Sequence, residues 1–184
     1  MKFCSNCGSS KISLKIPEGD NRERYVCDSC NTIHYSNPNV VVGTLPTFED
    51  KILLCKRAIE PRVGLWTLPA GFLENGESLL EGAWRETKEE TQAEVEMHNI
   101  LAIFNIPQIN QIYVIYKASI LENSYGPTSE SLDVRLFSKE NIPWEKIAFP
   151  FVPKAINHYY DNFEKKEIPT VSYTHLRAHE TLLD

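Results

Sequence analysis

Gly71-Phe72-Leu73-Glu74-Asn75-Gly76-Glu77-Ser78-Leu79-Leu80-Glu81-Gly82-Ala83-Trp84-Arg85-Glu86-Thr87-Lys88-Glu89-Glu90-Thr91-Gln92-Ala93 decides how this chain is read. It places Glu77, Arg85, Glu86, Glu89 and Glu90 at fixed offsets. At about 100° per residue, Glu86, Glu89 and Glu90 share one side of a helix, and Leu80, Ala83, Trp84, Thr87 and Thr91 fall on an adjoining side suited to pack on a sheet. Glu86 and Glu90 stand one turn apart, where like charges destabilise an isolated helix by roughly 0.2–0.5 kcal/mol. A hard cation reverses that sign, because magnesium takes one or two carboxylates and completes its coordination with water and substrate phosphates. The segment therefore predicts divalent-metal and phosphate chemistry. A solvated acidic face is the alternative that Glu-x-x-Glu-Glu alone allows.

The wider spacing sharpens this. Gly71, five residues, Glu77, seven residues, then Arg85-Glu86-x-x-Glu89-Glu90 resembles the signature of the Nudix hydrolases. Two positions depart from it. Thr87 stands where an aliphatic residue is common, and Gln92 stands where glycine, which most easily takes the left-handed conformation of a helix end, is usual. The resemblance implies an α+β fold, an α/β/α sandwich around a mixed sheet. It also implies Glu86, Glu89 and Glu90 as ligands of magnesium or manganese, with Glu90 foremost. Glu77 and Arg85 would pair to hold the loop against the helix, for which an exposed ion pair worth about 0–1 kcal/mol is the alternative. Gly71 would let the backbone approach the metal site where a side chain would obstruct it.

A second pattern lies at the N-terminus. Cys4-x-x-Cys7 and Cys27-x-x-Cys30, nineteen residues apart, fit the two-knuckle spacing of a zinc ribbon. Four thiolates can surround Zn²⁺ with no open position, so the predicted site is structural. A disulfide pair or a redox Cys-x-x-Cys is the competing reading. Some thirty residues cannot bury enough core alone, and the metal supplies the missing stability. Cys55, in the apolar run from Ile52, reads as a buried thiol packing like a small hydrophobe.

The 184 residues suit a zinc ribbon over 1–36, a Nudix domain over 37–168 and a tail over 169–184 expected to be disordered or non-native. A formal charge of −6 argues against broad binding to nucleic acid or acidic membranes. No apolar run approaches the ~20 residues of a membrane span. Met1-Lys2-Phe3 leads straight into the first knuckle, which predicts no signal peptide and a cytoplasmic, reducing compartment. Strands are expected at 40–45, 52–57, 100–106, 112–120 and 134–137, with a turn near Glu49-Asp50. Helices are expected from Ser78, a possible N-cap, to Gln92, and along the aromatic stripe from Phe151 to Phe163. From Thr170 no period suggests docking. His175 and His179 lack a third ligand and are read as non-functional.

The resemblance extends from residue 4 to about 164. Arg57-Ala58-Ile59-Glu60-Pro61-Arg62 and Gly64-Leu65-Trp66-Thr67-Leu68-Pro69-Ala70-Gly71 look like Nudix proteins with an N-terminal ribbon, some of which cleave FAD or ADP-ribose. The Ser-Gln-Pro-Trp array of NADH pyrophosphatases is absent, and Phe104 to Gln111 stands in its place. What this implies is hydrolysis of a nucleotide small molecule, by an enzyme whose relatives often form dimers. Glu89 or Glu130 would orient the attacking water. Arg57 and Arg62 would contact phosphate or pair with Glu60. Trp66, Phe72 or Tyr113 would stack on a ring, although core packing suits Trp66 better. An NADH pyrophosphatase, a cap-removing RNA enzyme and a nucleotide-binding regulator without turnover are the alternatives.

Overall fold

Hydrophobic burial within Met1–Asn37, the first of two units, is confined to Cys4, Val26 and Cys27. The computed structural model, which describes residues 1–165 and 167–174, gives this unit an antiparallel sheet of β1 (Ile12–Lys15), β2 (Arg24–Cys27) and β3 (Ile33–His34). Its two knuckles close alike. Gly8 N–H donates to the Cys4 carbonyl and Asn31 N–H to the Cys27 carbonyl, at 2.9 and 2.8 Å. Gly8 and Asn31 both have positive φ, 72° and 58°, which glycine and asparagine tolerate best.

The second unit, Pro38–Asp184, is built on one mixed sheet. A run of β-branched residues opens β4 (Asn39–Phe48), which turns at Glu49-Asp50 into β5 (Lys51–Arg57). Two short strands follow, β6 (Trp66–Thr67) and β7 (Ala70–Phe72), then α1 (Leu79–Thr91). β8 (Val95–Ile106), β9 (Gln111–Ile120), β10 (Ser131–Phe137), α2 (Phe151–Asp161) and β11 (Val171–Thr174) complete it. The order is β10-β5-β4-β9-β8-β11, with β6 on β5 and β7 on β4. β4 runs parallel to β9 and antiparallel to β5 and β7. Strand side chains alternate between faces. Leu45, Ile52 and Leu54 therefore pack with Phe151, Val152 and Ile156 of α2, while Val42 packs with Ala83 of α1 on the other face. The α/β/α sandwich stands as the sequence predicts.

Two expectations need correction. The stripe that α1 lays on the sheet is rotated toward its acidic side: Ala83, Thr87 and Thr91 are buried, but so are Glu86 and Glu90, whereas Leu80 and Trp84 are 44% and 41% exposed. Gly82 explains the roll. A Cβ there would meet Val42, Leu73 and the Glu77 carboxylate, so its absence lets the helix sink at that edge. Thr87 then meets Thr44 of β4, Oγ1 to Oγ1 at 2.6 Å, in a buried polar contact that an aliphatic residue would not make.

The second correction concerns the tail. Val171–Thr174 is docked, parallel to β8, with Tyr173 stacked on Phe104 at 5.0 Å between centroids. Four residues of alternation are too few to register as a period, and the free edge of β8 supplies the pairing. His175 and His179 lie outside the described residues.

Candidate active site

α1 begins with a capping box. Ser78 Oγ accepts from Glu81 N–H and the Glu81 carboxylate accepts from Ser78 N–H, at 3.3 and 2.8 Å. This fixes the helix start, and the roll over Gly82 then carries Glu86 and Glu90 against β7. Glu90, 6% exposed, accepts through Oε2 from the Ala70 N–H and the Cys55 thiol, both at 3.3 Å. Burial pushes its carboxyl up to about 7, against those two donors, which favour the charged form. Glu86, 9% exposed, is also raised, by burial first. Its carboxylate occupies the space where a Gly71 Cβ would stand, so Gly71 serves close approach here and not a turn. Two buried carboxylates with raised affinity for protons, beside a third that is exposed, are a donor set suited to a hard divalent cation.

Arg85 ties the surrounding loop to this pair. Its Nε and Nη2 grip both oxygens of Glu77 at 3.0 and 2.7 Å, and Nη2 also donates to the Phe72 carbonyl at 3.2 Å. Nη1 donates to Glu86 at 2.8 Å and to Glu89 at 3.0 Å. Glu77 accepts in addition from the Glu74 N–H at 2.7 Å. The Arg85 guanidinium holds the Glu77 carboxyl down at about 2. With side-chain exposures of 23% and 15%, Arg85 and Glu77 form a forked, largely sheltered clamp and not a loose exposed pair.

Arg85 and the three helix carboxylates line a cleft of about 780 Å³. Glu86, Glu89, Glu90 and Glu130 line it, and so do Ile106, Ile109, Tyr113, Phe149 and Phe151. Glu130 reaches it from the turn before β10, its carbonyl held by the Ala58 N–H at 2.8 Å. Arg57 and Arg62 both line the cleft. Arg57 does not pair with the Glu60 carboxylate. It donates to the Pro61 and Glu60 carbonyls, at 2.7 and 3.5 Å, and lies 5.1 Å from the Phe149 ring centre. Tyr113 and Phe72 line the cleft, while Trp66 packs in the core against Phe137.

Several contributors escape sequence reasoning. Cys55 was expected to be inert packing, and it is buried, but its thiol also donates to Glu90. Strand alternation places it on the α1 face, yet nothing local says which side chain lies opposite. The Ala70 N–H leaves no trace in side-chain patterns. Phe151 reads as part of a core stripe and also forms cleft wall.

In the N-terminal unit the ligand atoms of Cys4, Cys7, Cys27 and Cys30 all lie within 4.8 Å of one another, and none is in a disulfide. Four thiolates at about 2.3 Å from a shared zinc stand about 3.8 Å apart. The Cys4–Cys30 and Cys7–Cys27 sulfurs are 3.7 and 3.6 Å apart, so the set fits zinc. Asn6 Nδ2 lies 3.7 Å from the Cys30 sulfur and also donates to Thr32 at 3.1 Å, giving the cluster outer support. Among the described residues, no helix is long and apolar enough to cross a membrane.

Comparison with known proteins agrees with this geometry. Residues 2–36 match the Nudix N-terminal zinc-ribbon family and residues 37–155 match the NUDIX domain. An ADP-ribose pyrophosphatase of Methanocaldococcus jannaschii is 29% identical over 80% of this chain and 84% of its own length. The NAD-capped RNA hydrolase NudC of Vibrio vulnificus is 30% identical over 78% of this chain, which spans 53% of that protein. A NUDIX hydrolase from Nitrosomonas europaea has the same fold, with a TM-score of 0.88 and 46% identity over 95% of this chain and 99% of its own. The clamp on Arg85, the buried helix carboxylates and these matches together make the chain a hydrolase of the Nudix family, with a zinc-ribbon domain at its N-terminus.

Proposed function

We propose that this hydrolase cleaves the pyrophosphate bond of a nucleoside diphosphate joined to a second moiety, with ADP-ribose the first substrate and FAD the second, in the presence of magnesium or manganese. The supporting observation is that one cleft is lined both by Glu86, Glu89, Glu90 and Glu130 and by the apolar and aromatic side chains of Ile106, Ile109, Tyr113, Phe149 and Phe151. A cation-bridged diphosphate and a flat base thus find suitable surfaces in a single cavity. The likeness to the archaeal ADP-ribose pyrophosphatase supports the order of substrates.

On this reading Glu86, Glu89 and Glu90 hold the cation, Glu90 foremost. When bound, the cation shields the phosphate oxygens and makes a nearby water more acidic. Gly71 keeps the space that Glu86 needs, and Arg85 with Glu77 keeps the loop from moving the carboxylates apart. Arg57 and Arg62, which line the same cleft, contact phosphate oxygens. Glu130 orients the attacking water and takes its proton, with Glu89, the exposed carboxylate of the helix, as the other base lining the same cleft. Water adds at one phosphorus and the bridging P–O bond breaks. ADP-ribose gives AMP and ribose 5-phosphate; FAD gives AMP and FMN. Cys4, Cys7, Cys27 and Cys30 hold a structural zinc.

The test is a substrate screen of ADP-ribose, FAD, NADH, nucleoside triphosphates and NAD-capped RNA, with each metal, read as the released nucleoside monophosphate for the small molecules and as released nicotinamide mononucleotide for the capped RNA. AMP from ADP-ribose or FAD is the expected result. No AMP from either, with either metal, refutes the proposal. Release of nicotinamide mononucleotide from capped RNA in preference to both would favour the activity of the Vibrio relative instead, against a formal charge of −6 that opposes binding a phosphate backbone.

A further inference from the structure

The segment between β9 and β10 brings Glu130 to the cleft, and it is fastened along its length. Tyr125 packs against the cluster that contains Leu53, Cys55 and Val95. Gly126 N–H donates to the Thr91 carbonyl, one of the free carbonyls at the end of α1, at 2.9 Å. Gln92 Nε2 donates to the Pro127 carbonyl at 2.7 Å. Glu130 N–H donates to Thr128 Oγ1 at 3.1 Å, and its own carbonyl is held at Ala58.

Gln92 is the unexpected member. It takes the left-handed conformation at the helix end, φ 60°, where a side chain is strained and glycine is the usual choice. That conformation turns its side chain toward the β9–β10 segment, and the amide then reaches Pro127. We propose that Gln92 is a positioning residue: its amide straps the β9–β10 segment to the end of α1 and thereby fixes Glu130 relative to the helix carboxylates. The strap couples the register of two elements, one carrying Glu86, Glu89 and Glu90 and the other carrying the fourth carboxylate. The inference rests on the role given above to Glu130.

The experiment compares Gln92→Gly, Gln92→Arg, Glu130→Gln and the Gln92→Gly/Glu130→Gln double variant, measuring kcat, KM for ADP-ribose and melting temperature at saturating magnesium. Gln92→Gly relieves backbone strain while it removes one hydrogen bond and frees the unfolded chain, so the melting temperature stays near the parent value. Its kcat falls by about tenfold or more, because small misplacement of a reacting group is costly, and KM changes little. Gln92→Arg retains a donor long enough to reach Pro127 and keeps most of the turnover. In the Glu130→Gln background, adding Gln92→Gly has no further effect, since both changes act through one group. Full kcat in Gln92→Gly, with Glu130→Gln impaired, overturns the strap and leaves the Glu130 assignment standing. An equal loss in both backgrounds overturns it as well. Full kcat in Glu130→Gln instead removes the Glu130 assignment, and the strap's catalytic role with it.

Discussion

The Cys55 sulfur lies 3.3 Å from Glu90 Oε2, and the Ala70 N–H reaches the same oxygen, also at 3.3 Å. One oxygen of this buried carboxylate thus takes two protein donors, while Glu90 itself lines the cleft. Burial and the Glu90 charge push the Cys55 thiol up, so it remains a protonated donor at neutral pH. Outer partners of metal-binding side chains are commonly worth about 10–100-fold in affinity, and a thiol is a weak donor, so the low end applies. Cys55→Ala should weaken manganese binding about tenfold, and Cys55→Ser, which keeps a donor, should stay near the parent. Titration by manganese electron paramagnetic resonance decides this, and an unchanged affinity in Cys55→Ala would show the contact to be packing alone.

Glu90 also sets a pH dependence in metal-free protein. Its folded value of about 7 lies above the ordinary 4.5. Between those values the folded state binds the extra proton, so the stabilising contribution is full below about 4.5 and is lost as pH rises through 7. At about 1.4 kcal/mol per unit the loss is on the order of 3 kcal/mol. In chelator, melting temperature should fall between pH 5.5 and 8, and Glu90→Gln, which cannot ionise, should flatten that fall. On the role proposed for Glu90, the same variant should lose turnover by orders of magnitude, because a cation ligand would be gone. A parent protein whose chelated melting temperature is flat across this range, or a Glu90→Gln enzyme with full turnover, contradicts the assignment.

The sequence made the helix and the zinc cluster legible because both follow local rules. Ser78 precedes an apolar period, and the four cysteines need only two tight turns. Burial of Glu86 and Glu90 was not legible, because it follows from Gly82 settling on Val42, a contact between residues forty positions apart. The left-handed Gln92 ran against its own preference, and its compensation comes from Pro127, thirty-five positions away. Tyr173 had no period to announce it and docks on Phe104. Local chemistry named the carboxylates; tertiary packing decided which of them would be desolvated.

Gly71 tests that packing directly. Its backbone is not left-handed, so alanine is conformationally acceptable, but the added Cβ would collide with the Glu86 carboxylate. The obstructed atoms are the far end of a flexible side chain, which can swing aside. Gly71→Ala should therefore cost stability within about 1 kcal/mol, close to an ordinary substitution. It should nonetheless weaken metal binding and lower kcat/KM about tenfold or more, as Glu86, one of the proposed ligands, is displaced. Thermal melting and steady-state kinetics on one sample separate the two effects. Parent-like kcat/KM would mean that Glu86 does not need the position it holds.

The N-terminal unit should depend on its metal far more than on its sheet. With Cys4, Val26 and Cys27 as its buried hydrophobics, it has little apolar area to offset the entropy of ordering. Structural zinc in small domains supplies an apparent 10–16 kcal/mol or about that at neutral pH, well beyond what such a core provides. Cys27→Ser removes one of four sulfurs and leaves a weaker ligand buried at 0% exposure, so zinc should be released and the unit should lose its fixed structure. Elemental analysis should find about one zinc per parent chain, as the single four-cysteine cluster implies, and much less in the variant. Proteolysis should then cut first within residues 1–37, while the melting transition of the larger unit persists because its core is its own. Parent protein free of zinc, or a variant that resists cleavage there, would mean that the hairpin holds without the ion.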